Sequence, residues 1–352
     1  MSEPVIHILA DENMPALSAC FGSVAQIKTT AGRDISHKDL QNVDALLVRS
    51  VTQVNADLLC ASDVQFVGSA TIGTDHIDQA FLDSRNIEFV HAPGSNAQSV
   101  VEYVITAVAL WCQKHNKSPK NLKFGIIGKG QIGSRLFDFL NDLGVTVVCC
   151  DPPLEHAGIQ SPWHGMEAIQ QCDVISCHVP LTAEGAYATK HLIDEDFMSG
   201  MKSGALLINS SRGPVVDNAS LLNHLKAHHF EAVLDVWETE PVIELPLMDA
   251  VFLATPHIAG YAYEAKIRGT FMLYQAFCQH FKLKESVVFD DLLPAGKIST
   301  HFKSVEDWLS QAPVLYDLKA DDSRMRQEVK KNAYVFDNLR KNYPKRREFL
   351  RL

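Results

Sequence analysis

Short apolar runs alternate with polar connectors over the first quarter of the chain. The runs are rich in Val, Ile and Phe and read VIHILAD, VAQIKTT, DALLVRS, QFVGSA and IEFVHAP. Amphipathic segments such as NADLLCASD lie between them. Because strands that alternate with helical segments are typical of parallel sheets, this pattern predicts an α/β domain over residues 1–95.

A second set of apolar runs begins at Leu122, after a long segment with helical periodicity, NAQSVVEYVITAVALWCQKH. The runs read KFGIIG, VTVVCCD, DVISCHVP, GALLINS, AVLDVW and VFLATPH. Nearly continuous apolar strands are typical of a sheet that helices cover on both faces. We therefore predict a doubly wound, Rossmann-type domain over residues 96–261.

The pattern becomes helical again after Pro256. The segment AYEAKIRGTFMLYQAFCQHF is predicted to form a helix that completes the first domain with residues 262–285. After the predicted linker LLPAGK, the segments VEDWLSQAP, MRQEVKKNAYVFDNLRKNY and PKRREFLRL are mixed in character and increasingly basic. They predict a small, separate α+β module over residues 286–352.

Charge and composition narrow the classes of partner. The 352 residues carry a net charge of -10, which disfavours nucleic acid or an anionic membrane as the main partner. No apolar run is long enough to span a bilayer, and the N-terminal sequence lacks the pattern of a signal peptide. The eight cysteines have no paired zinc-type spacing, so we expect free thiols in a reducing cytoplasm and no metal site.

The stretch GIIGKGQIG places Gly128, Gly130 and Gly133 between a predicted strand and an amphipathic helix. In that context the first glycine makes a tight turn, the second admits a pyrophosphate, and the third lets the helix pack on the strand. The next strand ends at Asp151, whose carboxylate would accept hydrogen bonds from ribose hydroxyls and repel a 2′-phosphate. We therefore predict NAD, not NADP, as the cofactor.

Three successive predicted strands end in residues that could perform acid–base chemistry. Arg212 follows LLINS, Asp235 ends the next strand with Glu238 and Glu240 just beyond, and His257 follows VFLAT. The carboxyl ends of parallel strands meet at one edge of a sheet, where ligands bind. A histidine oriented by a carboxylate could take a hydroxyl proton, and an arginine could hold a substrate carboxylate. The spacing alone does not choose between the carboxylates.

The stretches GIIGKGQIG, NSSRGPVVD, LDVWETEP and PHIAGY resemble the D-isomer-specific 2-hydroxyacid dehydrogenases over roughly residues 5–285. The resemblance implies a flavodoxin-like substrate domain beside the NAD domain. It also implies that the catalytic arginine, glutamate and histidine of the family correspond to Arg212, Glu240 and His257.

Other stretches, among them ADENMP, LLVRSVTQVN, GSATIGTDHID and the tail FDNLRKNYPKRREF, are similar to one branch of that family. The similarity implies oxidation of 4-phospho-D-erythronate in pyridoxal 5′-phosphate biosynthesis, and a homodimer built by the C-terminal module. Ser50, Thr71 and Tyr261 would then bind substrate. The NAD site would be lined by Asp151, Val179, Ser210, Ser211, Arg212, Asp235 and Gly260.

The sequence leaves the phosphate anchor and two functional alternatives open. Arg49 is the cation nearest Ser50, and Arg346 and Arg347 of the basic tail are further candidates for binding the phosphate. One alternative function is that of another phosphorylated 2-hydroxyacid dehydrogenase, such as one acting on 3-phosphoglycerate. The other is a non-catalytic NAD-sensing protein on the same scaffold, because fold alone does not fix function.

Overall fold

The computed structural model describes residues 5–296 and 300–350. The chain divides into two compact units, Met1–Asn96 with Ala262–Lys297 and Ala97–Tyr261 with Ile298–Leu352. The strands are β1 (His7–Asp11), β2 (Gln26–Thr30), β3 (Ala45–Val48), β4 (Phe66–Ser69), β5 (Glu88–His91), β6 (Lys123–Ile127), β7 (Thr146–Cys150), β8 (Val174–Cys177), β9 (Leu206–Asn209), β10 (Glu231–Leu234) and β11 (Leu253–Ala254).

The helices account for most of the remaining regular structure. They are α1 (Leu17–Phe21), α2 (Ala56–Leu59), α3 (Gln79–Ser84), α4 (Ala97–His115), α5 (Gln131–Asp142), α6 (Pro152–His156), α7 (Met166–Gln170), α8 (Glu195–Ser199), α9 (Asn218–Lys226), α10 (Leu245–Ala250), α11 (Tyr263–His280), α12 (Val305–Leu315), α13 (Leu318–Lys331) and α14 (Phe336–Lys341). Short 3₁₀ turns span His37–Leu40, Pro119–Asn121, Gly213–Val215 and Phe289–Leu292. None of the helices in the described residues is both long and apolar enough to span a lipid bilayer.

The first unit contains a five-stranded parallel sheet in the order β2-β1-β3-β4-β5. This is the flavodoxin-like order, so the predicted fold of the substrate domain is confirmed. The helix α11 packs on the sheet through aromatic side chains: Phe277 meets Phe21 at 5.3 Å and Phe66 at 5.9 Å between ring centroids, both edge to face. The C-terminal part of this unit therefore completes the core that residues 5–96 begin.

The second unit contains a six-stranded parallel sheet in the order β11-β10-β9-β8-β6-β7. An isolated parallel bridge joins Cys149 of β7 to Trp163 beyond the outer edge of β7. Counted as a strand, the bridge completes the 3-2-1-4-5-6 order of a Rossmann sheet as far as β10, and β11 adds a seventh strand at the opposite edge. The predicted doubly wound fold is confirmed.

Helix α4 is buried on nearly all sides, including its polar residues Ser99, Glu102 and Thr106. A helix on a protein surface keeps a polar outer face, whereas one that is buried all round needs a neighbour on every side. Helix α12 covers the outer side of α4, and Trp308 of α12 donates its indole N–H to the carbonyl of Ile105 at 2.9 Å. The ring of Trp308 also packs edge to face on Phe139 of α5, with centroids 5.2 Å apart.

The C-terminal segment packs closely on the Rossmann unit, and its identity as a module of its own over residues 286–352 remains a prediction. Its described residues from Thr300 onwards belong to the same compact unit as the Rossmann sheet, because their apolar side chains complete the core around α4. Its regular structure consists of helices α12, α13 and α14, joined by turns and irregular segments. The β contribution to the predicted α+β arrangement within the described residues is limited to bridge residues, among them the pair Thr300 and Leu350.

Replacement of Trp308 by alanine tests this integration. We expect Trp308→Ala to lower the free energy of unfolding by about 3–5 kcal/mol, because a fully buried indole and its hydrogen bond are lost. Urea unfolding followed by circular dichroism measures the change. The control is Tyr334→Ala on the same segment, where the side chain is 78% exposed and little change is expected. Equal stability of the two variants would contradict the assignment.

Candidate active site

The glycine-rich loop between β6 and α5 has the three local properties that its sequence predicts. Gly128 has a φ of +87°, which favours glycine. A Cβ at Gly133 would lie 2.0 Å from the carbonyl oxygen of Gly128, so the helix packs too closely for any side chain. A Cβ at Gly130 would meet nothing within 4 Å, and Gly130 caps α5. The loop thus leaves open space at a helix N-terminus, which suits a pyrophosphate.

The neighbouring strand ends add polar groups beside this loop. Asp151 follows β7, and its carboxylate accepts the backbone N–H of Lys129 at 2.7 Å and of Leu154 at 3.1 Å. Val179, just beyond β8, packs against the glycine loop: a Cβ at Gly128 would lie 2.8 Å from the Cγ1 of Val179. The hydroxyl of Ser210 after β9 is buried and has no hydrogen-bond partner in the described part of the chain. These residues fit the dinucleotide that the motif predicts.

Asn209, the last residue of β9, explains how a buried strand leads straight into an arginine. Its side chain is fully buried. Its Oδ1 accepts the backbone N–H and the hydroxyl of Ser211 at 3.1 and 2.8 Å, and its Nδ2 donates to the carbonyl of Arg212 at 2.9 Å. The amide therefore bends the chain at the strand end. Our sequence analysis missed this residue; a polar side chain closing an otherwise apolar run was the available signal.

The close approach of a second loop fixes the segment after Arg212. A Cβ at Gly213 would lie 2.0 Å from the carbonyl oxygen of Trp237, so only glycine fits there. Asp217 then caps α9, accepting the N–H groups of Ala219 and Ser220 at 3.0 and 3.1 Å. The guanidinium of Arg212 donates to the carbonyl of Ser211 at 2.8 Å.

The fully buried carboxylate of Asp235, directly after β10, holds the segment that follows β11. It accepts the hydroxyl of Thr255 at 2.7 Å and the backbone N–H groups of Ile258 and Ala259 at 2.8 and 2.9 Å. Its carbonyl also accepts the N–H of His257 at 2.7 Å. His257 lies within the segment that these hydrogen bonds hold. Its φ of +56° is uncommon for a residue with a side chain. Asp235, expected to line the NAD site, thus also positions His257.

Glu240 and His257 form a hydrogen-bonded pair. The Oε2 of Glu240 lies 3.0 Å from the Nδ1 of His257, and its Oε1 accepts the N–H of Trp237 at 2.9 Å. Burial opposes ionisation of Glu240, but the hydrogen bond and the charge of His257 outweigh it and lower the pKa of the carboxyl below its ordinary value. The pair is partly exposed, with side-chain exposures of 31% for the histidine and 23% for the glutamate.

Glu238 has different partners from those of Glu240. One of its oxygens lies 2.6 Å from the Nε2 of His191, and the other accepts the N–H of Asn218 at 3.2 Å. It therefore joins two loops of the same unit and does not contact His257. The structure thus separates the two carboxylates that sequence spacing could not.

Gly260 and Tyr261 follow the histidine segment directly. The N–H of Tyr261 donates to the carbonyl of Ile258 at 2.9 Å, and its ring packs edge to face on Tyr343, with centroids 6.1 Å apart. The tail therefore contacts a residue that we expect to bind substrate.

In the first unit, the expected substrate residues follow two adjacent strands. Val48 of β3 pairs with Ser69 of β4, so Ser50 and Thr71 leave the sheet at the same edge. Ser50 is exposed, and Arg49 before it is half-buried. The hydroxyl of Thr71 lies 2.7 Å from that of Ser69 and donates to the carbonyl of Gly73 at 2.9 Å.

Arg346, a sequence candidate for phosphate binding, lies inside the second unit. Its Nη2 donates to the carbonyl of Ala259 at 2.6 Å, and its Nη1 lies 3.6 Å from the fully buried Oε2 of Glu102. The guanidinium is also stacked 4.2 Å above the ring of Tyr316. The charge of Arg346 is therefore compensated within the protein.

Comparison with known families and proteins gives consistent matches. Residues 106–259 match the model of the D-isomer specific 2-hydroxyacid dehydrogenase NAD binding domain, and residues 297–352 match a domain of unknown function, DUF3410. The chain is 43% identical to the erythronate-4-phosphate dehydrogenase of Salmonella arizonae, over 98% of this chain and 92% of that protein. It is 42% identical to that of Salmonella paratyphi B over the same shares.

Solved structures with a similar fold have lower sequence identity. The NAD-bound 3-phosphoglycerate dehydrogenase of Entamoeba histolytica has a TM-score of 0.68 at 22% identity, covering 81% of this chain and 99% of that one. The D-lactate dehydrogenase of Aquifex aeolicus, in complex with NAD and lactic acid, has a TM-score of 0.63 at 23% identity, covering 78% and 95%. These likenesses support the fold.

Two alanine substitutions in the glycine loop should have separable effects. We expect Gly130→Ala to fold normally but to weaken NADH binding by about tenfold or more, because its Cβ enters space that the pyrophosphate would occupy. Gly133→Ala should instead lower the free energy of unfolding by about 1–3 kcal/mol, because its Cβ overlaps the carbonyl of Gly128. NADH fluorescence titration and urea unfolding measure the two effects. Unchanged NADH affinity in Gly130→Ala would contradict the cofactor placement.

Proposed function

The chain belongs to the erythronate-4-phosphate dehydrogenases within the D-isomer specific 2-hydroxyacid dehydrogenase family, and from this membership we propose its reaction. It oxidises 4-phospho-D-erythronate with NAD to 2-oxo-3-hydroxy-4-phosphobutanoate, in pyridoxal 5′-phosphate biosynthesis. The single observation that carries the catalytic assignment is the Glu240–His257 pair, which lies beyond the ends of β10 and β11 in the unit that holds the glycine loop.

His257 acts as the base that takes the proton of the substrate C2 hydroxyl. Its Nδ1 is engaged with Glu240 at 3.0 Å, which leaves Nε2 as the nitrogen that accepts the proton. The ionised Glu240 fixes the ring orientation and stabilises the imidazolium that forms. NAD, when bound, supplies the acceptor for the hydride that leaves C2. The C–H electron pair thus leaves with the hydride, and the hydroxyl oxygen becomes the ketone oxygen.

Arg212 binds the substrate carboxylate and stabilises the oxygen on which negative charge develops. A planar guanidinium suits both tasks, because it can donate two parallel hydrogen bonds to a carboxylate. Its position is supported by the Asn209 amide before it and by the close loop contact at Gly213 after it. Ser50, Thr71 and Tyr261 are proposed to select the polyhydroxylated acid.

Asp151 is proposed to favour NAD over NADP. Its carboxylate lies at the end of β7 beside the glycine loop, fixed by the N–H groups of Lys129 and Leu154. A fixed negative charge at this strand end accepts hydrogen bonds from ribose hydroxyls and repels a 2′-phosphate.

A cytoplasmic homodimer is part of the proposal. All eight cysteines are free, and seven of them are buried, which suits a reducing compartment. Val314 of the C-terminal segment is 81% exposed, and a contact between two copies of this segment would remove its side chain from water.

Product analysis tests the substrate assignment directly. Purified protein is mixed with NAD and 4-phospho-D-erythronate, with and without 2-oxoglutarate as a secondary acceptor, in parallel with 3-phosphoglycerate. Mass spectrometry should detect selective oxidation of the erythronate ester. Preference for 3-phosphoglycerate would overturn the substrate while leaving the cofactor and catalytic residues in place. Failure of wild type to oxidise either acid while it still binds NADH would support the NAD-sensing alternative, whereas loss of turnover in a His257→Ala variant that still binds NADH would support the catalytic role.

The two glutamate–histidine pairs offer a matched test of catalysis. We expect Glu240→Gln to lower kcat by about 100-fold, because His257 loses the charge that stabilises its protonated form. Glu238→Gln, which alters the pair with His191, should leave kcat close to that of wild type. Steady-state kinetics measure both, and NADH titration checks that each variant still binds cofactor. Equal loss of kcat in the two variants would remove Glu240 from its catalytic role.

A further inference from the structure

Arg340 of α14 brings a cation to the neighbourhood of the catalytic pair. Its guanidinium carbon lies 5.6 Å from the centroid of the Tyr261 ring and 6.0 Å from that of Phe336. Burial disfavours its charged form, but the Tyr261 phenol and the Glu240 carboxylate outweigh burial and raise its pKa above the ordinary value. Arg340 therefore remains a cation within electrostatic reach of Tyr261 and Glu240.

The guanidinium of Arg340 retains an unused donor. Its Nε is buried and has no hydrogen-bond partner in the described part of the chain. Its Nη1 lies 3.7 Å from the carboxylate of Asp337, longer than a hydrogen bond, and the side chain as a whole is 19% exposed. A buried donor left unsatisfied on a cation is costly, so an acceptor supplied by a ligand would recover that cost.

Arg346, a second arginine of the tail, does not offer this opportunity. Arg346 is 7% exposed, pairs with the buried Glu102 and donates to the carbonyl of Ala259. Those partners lie in the interior of the unit. Arg340 differs because its neighbours are the catalytic Glu240 and Tyr261, a residue proposed to contact substrate.

We propose that Arg340 binds the phosphate of the substrate, with the Tyr261 hydroxyl as a second donor. The inference rests on the proposed function, because it assumes a phosphorylated 2-hydroxy acid. Tyr261 lies four residues beyond His257, and two carbons separate the phosphate ester oxygen from the reacting C2 in this substrate. An anchor beside the catalytic pair, and not in contact with the reacting atoms, is what such a molecule requires. A guanidinium also matches phosphate geometry through parallel hydrogen bonds.

Arg340→Gln and Lys341→Gln form a matched pair for the test. Both remove one positive charge from α14, and Lys341 is exposed. Each variant is assayed with 4-phospho-D-erythronate and with unphosphorylated D-erythronate, and NADH titration checks cofactor binding. Arg340→Gln should lower kcat/KM for the phosphorylated acid by about 30-fold, mainly through KM, and lower it much less for the unphosphorylated acid. Lys341→Gln should behave as wild type with both acids.

A fall by the same factor with both acids, or equal behaviour of the two variants, would overturn the assignment. Arg340→Lys covers the case in which the glutamine variant does not fold. It keeps the charge but loses the parallel hydrogen-bond donors of the guanidinium, so we expect a smaller rise in KM that is confined to the phosphorylated acid. A rise shared by both acids would contradict the proposal.

Calorimetric titration with inorganic phosphate separates this inference from the proposed function. Wild type and Lys341→Gln should bind phosphate, and Arg340→Gln should bind it at least about tenfold more weakly. Equal phosphate affinity in all three proteins would reject the anchor. If wild type does not oxidise 4-phospho-D-erythronate, the proposed function fails, and the titration still decides whether Arg340 binds phosphate.

Discussion

The buried carboxylate of Asp235 is the constraint on which the candidate active site depends. It accepts three hydrogen bonds from the short segment after β11, and its own carbonyl accepts a fourth from His257. A buried carboxylate is stable only when its oxygens are satisfied, so the segment cannot move without a large penalty. These hydrogen bonds keep His257 in a left-handed backbone conformation that few residues other than glycine adopt. The position of the histidine ring relative to Glu240 follows from this backbone.

The same physical arrangement recurs at other strand ends of the Rossmann sheet. Asn209 closes β9 by bonding to Ser211 and Arg212, and Asp151 after β7 bonds to the glycine loop and to the first turn of α6. In each case a polar side chain satisfies backbone groups that the end of a parallel strand leaves open. The aligned strand ends thus become a rigid edge on which Arg212 and the glycine loop are held.

Apolar runs predicted each of the strands β1–β11. The signal is clearest for the central strands, which are buried on both faces and have little choice of residue, and weakest for the edge strands β2 and β5, which are largely exposed or half-buried. The strand-end argument also located Arg212 and His257, since parallel strands deliver their last residues to one edge. It could not separate Glu238 from Glu240, because two residues of spacing in a loop do not determine which side chain meets which histidine. Arg340 was missed for a different reason: it lies far along the chain from its neighbours, and a basic helix resembles an ordinary solvated surface.

The burial of the tail explains how such a distant residue can serve the site. Glu102 of α4 accepts the backbone N–H groups of Phe349 and Leu350 at 2.7 and 2.8 Å and pairs with Arg346. Burial raises the pKa of Glu102 to about 7, which shows that the buried charge is costly. The backbone donors and Arg346 offset that cost by stabilising the ionised form. Arg346 in turn holds the carbonyl of Ala259, within the segment that Asp235 grips. The tail is already ordered by the burial of these charges, so phosphate binding would not have to supply the entropic cost of placing Arg340. A phosphate would therefore encounter a cation that is held in position beforehand.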